Sequence, residues 1–175
     1  MQPRPAVTEV VRVVARQHTR IRGLLHEVAL SGGTDRTAAA GWLSHYLLLH
    51  VAAEQIGLRR APVGTAERVD AAARMGPLAG LALTLDLDDA VVHHRVATLE
   101  AAVLSHARAQ ERSVLPRMLS SWPLADLHRA VAALEAADTV FDHGPAEPAV
   151  TCPGTLDPWH TAVGAIQRVL ETPPP

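Results

Sequence analysis

The chain has 175 residues with 48% hydrophobic content, a single-domain length able to bury one core of ordinary size. A formal net charge of -2, with arginine interleaved among aspartate and glutamate, leaves no strongly basic face and excludes nucleic-acid phosphates as an evident partner. The single cysteine, Cys152, excludes an internal disulfide, a cysteine-built zinc cage and an iron–sulfur cluster held by this chain alone, and fits a reducing cytoplasm.

Aromatics are only 3% of the residues, while Ala, Leu, Val and Arg dominate, so helices are expected and strands are not. Thr8 reads as the cap of a first helix reaching about Ala29, with Val11, Val14, His18, Ile21, Leu25 and Val28 at steps of three and four. The SGGT run, Ser31 to Thr34, stops it. A second helix is predicted from about Asp35 to Arg59, with Ala39, Leu43, Leu47, His50, Glu54 and Leu58 on its inner face. A third, Ala66 to Leu85, carries Gly76 and Pro77 in its middle, where proline removes a backbone donor and kinks or breaks the helix. After Asp88 and Asp89 a long fourth helix is predicted to about Leu119, with Val92, Val96, Leu99, Val103, His106 and Gln110 in register. Beyond Trp122 and Pro123 a shorter helix covers Leu124 to Ala137, Phe141 to Thr155 reads as loop or linker, and Asp157-Pro158 opens a last helix to about Glu171. Short connections favour antiparallel neighbours. The expected fold is all-α: an up-down-up-down four-helix bundle over residues 1–121, with residues 122–175 as a helical appendage packed outside it or mediating assembly, one domain overall.

No stretch reaches the roughly 18 apolar residues of a membrane helix, and MQPRPAVTEV lacks the apolar core of a signal peptide, so neither spanning nor export is expected. Cys152 lies in a Pro- and Gly-rich tail and reads as a bystander thiol.

His18, His50, Glu54 and His106 all fall on apolar stripes, which ordinarily exclude imidazole and carboxylate because buried polar groups need partners. A cation at the bundle centre would satisfy them together. His50 and Glu54 are separated by one helical turn and so share a face. A metal-free, hydrogen-bonded polar network is the alternative. His93 and His94 are rotated off the face of His106. They, His26, His45, His128, His143 and His160 read as structural or surface residues. Tyr46, one turn before His50, is a candidate to hydrogen-bond a small oxygen ligand from behind the ligand residues, or a plain core residue.

Three runs carry a resemblance. The first helix has His-x-x-Ile-Arg-x-Leu-Leu (His18, Ile21, Arg22, Leu24, Leu25), the second His-x-x-Ala-Glu (His50, Ala53, Glu54), and the fourth a histidine and glutamate five apart followed by Leu-Pro (His106, Glu111, Leu115, Pro116). Over roughly residues 8–119 the chain resembles the hemerythrin and HHE cation-binding family. The resemblance implies a bundle holding two non-haem irons that bind or activate dioxygen, peroxide or nitric oxide. It implies His18, His50 and Glu54 as ligands of one iron and His106 and Glu111 as ligands of the other.

Two positions depart from the pattern. The family draws a histidine from the third helix, but Val69 to Leu78 offers Asp70, Arg74 and Pro77 and no histidine. Where many relatives place a bridging carboxylate four residues after the fourth-helix histidine, this chain has Gln110, a weak neutral ligand; Glu111 follows it. Three outcomes stay open: a complete pair with Asp70 or Glu67 as substitute, a single iron on the intact half, or a site that has lost its metal.

Histidine nitrogens with carboxylate oxygens suit iron, with manganese as a second fit. The reading leans towards an oxidative enzyme acting on a small organic substrate, whose cavity is expected beside Gly76 and Pro77. A metal-free helical scaffold or a regulatory or iron-sensing protein is the alternative, with Val163, Ile166, Val169 and Leu170 as a partner or oligomer face, unless that stripe docks on its own bundle.

Overall fold

The computed structural model describes residues 5–58, 89–144 and 158–172. The predicted third helix with Gly76, Pro77, Glu67 and Asp70 lies outside the described residues, as does Cys152. Every regular element among the described residues is helical: α1 (Pro5–Leu30), α2 (Gly33–Gly57), α3 (Asp89–Ala109), a π-helical turn (Gln110–Val114), α4 (Leu115–Leu119), α5 (Leu124–His143) and α6 (Pro158–Glu171). Among the described residues, no helix is long and apolar enough to cross a membrane.

Three boundaries differ from the sequence expectation. α1 already includes Pro5, three residues ahead of Thr8, so Thr8 is not its cap. The predicted fourth helix is interrupted: the Leu115 N–H bonds to the Gln110 carbonyl, five residues back. Pro116 follows this widened turn, and its ring would crowd the Arg112 carbonyl in a regular helix. α5 continues past Ala137 to His143, which carries Asp138, Phe141 and Asp142 on helix where the last two were expected near or in loop.

The turn between α1 and α2 is fixed by Gly33 at φ +54°, a left-handed conformation that glycine adopts without strain, and by the buried Arg36, whose Nε donates to the Ser31 carbonyl at 2.7 Å. α5 packs on both α1 and α2, and α6 packs on α2 and α5. The expected C-terminal partner face is turned inward at Ile166, which is fully buried in the chain's own core, while Leu170 is exposed. At the α2–α5 crossing the backbones approach so closely that a Cβ on Gly57 would stand 3.1 Å from the Ala130 Cα. The small buried residues Ala130, Ala133, Ala136 and Ala137 on α5 make that approach feasible.

The apolar core falls into two clusters. One gathers Val7, Val10 and Val14 of α1, Leu49 and Ala53 of α2, Leu115 and Leu119 of α4, and Leu127 and Leu134 of α5. The other gathers Ile21, Leu25 and Val28 of α1, Leu43 and Leu47 of α2, and Val96, Leu99 and Val103 of α3. Each buried aliphatic contributes about 1.5–3 kcal/mol of apolar transfer energy. On α1 the boundary between the clusters falls between Val14 and Ile21, on α3–α4 between Val103 and Leu115. The buried polar residues Gln17, His18, His106 and Gln110 occupy those gaps.

Candidate metal centre

α1 delivers His18, α2 delivers His50 and Glu54 one turn apart, and α3 delivers His106. Their candidate ligand atoms all lie within 4.8 Å of one another, and all four residues are buried, His50 completely. The rings of His50 and His106 stand edge to face against that of His18, with centroids 5.1 and 5.6 Å away. Glu54 spans the group, its Oε1 3.5 Å from His50 Nε2 and its Oε2 3.9 Å from His106 Nε2. His18 Nε2, His50 Nε2 and Glu54 Oε1 are buried without a hydrogen-bond partner among the described residues. Such atoms cost about 1–3 kcal/mol each when unsatisfied.

Hydrogen bonds on the far side of two rings fix their tautomers. Gln17 donates its side-chain N–H to the Leu134 carbonyl at 2.7 Å, which leaves its Oε1 as the acceptor 2.8 Å from His50 Nδ1. Nδ1 of His50 therefore carries the proton and Nε2 presents a lone pair to the group. The Glu111 carboxylate, an acceptor when ionised, stands 2.8 Å from His18 Nδ1 and assigns His18 the same tautomer. Burial pushes the His50 imidazole down to about 3, assisted by repulsion from His106 and opposed by the Asp138 charge. His18 is lowered by burial and by His50, against the pull of Glu111 and Glu54. Both rings are thus neutral near pH 7, the state in which imidazole binds a cation.

The sequence-predicted ligands divide accordingly. His18, His50, Glu54 and His106 come together; Glu111 stands behind His18 and is absent from the group of mutually close donors. Gln110, four residues after His106, is buried, with its Oε1 lacking a hydrogen-bond partner among the described residues. Tyr46 is fully buried and its hydroxyl donates to Asp138 of α5. Burial, the Asp138 hydrogen bond and the Asp138 charge together raise its phenol above the ordinary value. His93, His94, His26, His128, His143 and His160 are exposed and His45 is half-buried, as expected for residues off the inner face.

Sequence reasoning missed Gln17 and Asp138. Gln17 lies three residues after Val14 and four before Ile21, so its place on the apolar arc was readable. Asp138 lay one residue past the predicted end of its helix. Two surface clefts, of about 840 and 520 Å³, open elsewhere: one beside Pro5, Leu124 and His128, the other beside Arg20, Trp42 and Phe141. Neither is lined by any of the four donors. No family model, curated protein or solved structure matches this chain.

Proposed function

We propose that this chain is a non-haem iron protein of hemerythrin-like four-helix-bundle design, holding one ion on His18, His50, Glu54 and His106. The observation that carries the reading is the convergence of three buried imidazoles and one buried carboxylate from three helices, with His18 Nε2 and His50 Nε2 buried and lacking a hydrogen-bond partner among the described residues. Ligands about 2.1 Å from a common ion lie roughly 3–4 Å from one another, so the observed 4.8 Å spread closes with small side-chain adjustments. A metal-free network would instead pair these atoms with donors and acceptors. Three nitrogens and one carboxylate oxygen suit iron, with manganese as the neighbouring fit.

One ion is favoured over two because Glu111 is engaged by His18. Bound at the four donors, iron would supply one-electron redox chemistry and an open position for dioxygen, peroxide or nitric oxide. The chain's own part is to keep His18 and His50 deprotonated at Nε2, through Glu111 and Gln17, and to surround the centre with apolar residues that exclude water. The test is metal analysis and a visible spectrum of protein loaded anaerobically with ferrous iron, beside His50→Ala. About one iron per chain, lost in the variant, supports the reading; two irons would restore a paired site. No iron in either protein would overturn the reading and leave a helical scaffold.

A further inference from the structure

On α2, Trp42, Tyr46, His50 and Glu54 follow one another at intervals of four residues, one ladder on one helix face with steps of about 6 Å. The chain has a single tyrosine, a single phenylalanine and three tryptophans. Three of these five aromatics meet here: the Phe141 ring lies 4.7 Å from that of Tyr46 and 5.5 Å from that of Trp42. Tyr46 is fully buried, whereas Trp42 is half-buried and lines the 520 Å³ cleft with Arg20, Leu24, Phe141 and Asp142. The ladder thus leads from the histidine–glutamate cluster to the surface.

The surroundings of Tyr46 determine how it could give up an electron. Its hydroxyl donates to Asp138 Oδ1, and the other oxygen of that carboxylate is held by Arg16 at 2.9 Å. The Arg20 guanidinium lies over the Tyr46 ring, 5.1 Å from its centroid, and disfavours positive charge there. Electron loss must therefore be accompanied by transfer of the phenolic proton, and Asp138 is placed to receive it.

We infer that Trp42, Tyr46 and Asp138 form a proton-coupled electron relay between the proposed metal centre and a phenolic reductant whose ring packs on the Trp42 and Phe141 walls of the cleft. The relay rests on the metal reading for its oxidant. Tyr46 loses one electron and passes its proton to Asp138, leaving a neutral tyrosyl radical; iron held by the four donors would be the one-electron acceptor. Trp42 then gives one electron to Tyr46, which recovers the proton from Asp138. A phenol in the cleft refills the Trp42 radical cation with one electron, releases its own proton to water and leaves as a phenoxyl radical. One phenol is oxidised for each one-electron reduction of the centre.

The relay is testable without metal, by flash-quench oxidation of the chelator-treated protein with photogenerated tris-bipyridine ruthenium(III), read by transient absorption and electron paramagnetic resonance. A tyrosyl signal can come only from Tyr46, the single tyrosine. The expected result is a tyrosyl radical that is replaced by a tryptophan radical in Tyr46→Phe, rises more slowly in Trp42→Phe, and rises more slowly in Asp138→Asn. Near-ultraviolet circular dichroism of each variant separates loss of the relay from loss of packing. No tyrosyl radical, or one whose rise is unchanged by Trp42→Phe and Asp138→Asn in folded variants, overturns the relay and leaves the metal reading standing. Failure of iron binding with normal radical transfer would sink the metal reading alone.

Discussion

Gln17 Oε1 stands 2.8 Å from His50 Nδ1. The same amide is anchored through its N–H to the Leu134 carbonyl, so α5 orients a histidine of α2 by way of α1. That anchoring is why the amide cannot simply turn over and present a donor to the imidazole.

Gln17→Leu should therefore weaken metal binding by about 10- to 100-fold, the usual cost of losing a partner behind a ligating histidine. It should also destabilise the metal-free protein by about 1–3 kcal/mol, since the buried His50 Nδ1–H loses its acceptor. Competition titration against a chromophoric chelator, with denaturant melts alongside, checks both effects. Unchanged affinity in a folded variant would show that the tautomer of His50 is set elsewhere.

Glu54→Gln separates binding from stability. The carboxylate is buried, with Oε1 lacking a hydrogen-bond partner among the described residues. Removing its charge should raise the stability of the metal-free chain by about 1 kcal/mol while cutting metal affinity at least about tenfold. A thermal melt with and without ferrous iron reads both, and a variant less stable than the parent without metal would contradict the account.

Acid should destabilise the metal-free protein, with a sign set by His50. Its folded value is about 3 against 6.5 for an unhindered imidazole, so between these limits the unfolded chain binds the extra proton. Stability is therefore full above about pH 6.5 and falls as pH drops, by about 1 kcal/mol per unit for each such proton. His18, also lowered, adds in the same direction. Urea melts between about pH 5 and 7, above the ordinary carboxylate range, should show the slope, and His50→Gln should flatten it. A flat profile in the parent would mean that these rings are not neutral in the folded state.

Gly57→Val tests the α2–α5 crossing. Its Cβ would meet the Ala130 Cα at 3.1 Å and the Ala130 carbonyl oxygen at 3.2 Å, both backbone atoms that yield only if the helices separate. A loss of about 1–3 kcal/mol is expected, measured by denaturant unfolding. A neutral substitution would show that α5 is free to shift on α2.

Much of this was written in the sequence. The all-helical character follows from composition and from three-four spacing, because a periodic apolar stripe has one stable use. His18, His50, Glu54 and His106 announced themselves as polar residues on those stripes, and burial makes that kind of exception conspicuous. Tertiary structure alone decided what stands behind them. Gln17 and Glu111 acquire their roles from the Leu134 carbonyl of α5 and the π-helical turn at Gln110–Val114, neither of which a single helix's periodicity encodes. Asp138 meets Tyr46 across 92 residues of chain, and only the packing of α5 on α2 brings them together. Local spacing fixes which face a side chain occupies; the partner on the opposing helix depends on register and crossing distance, which are properties of the assembled core.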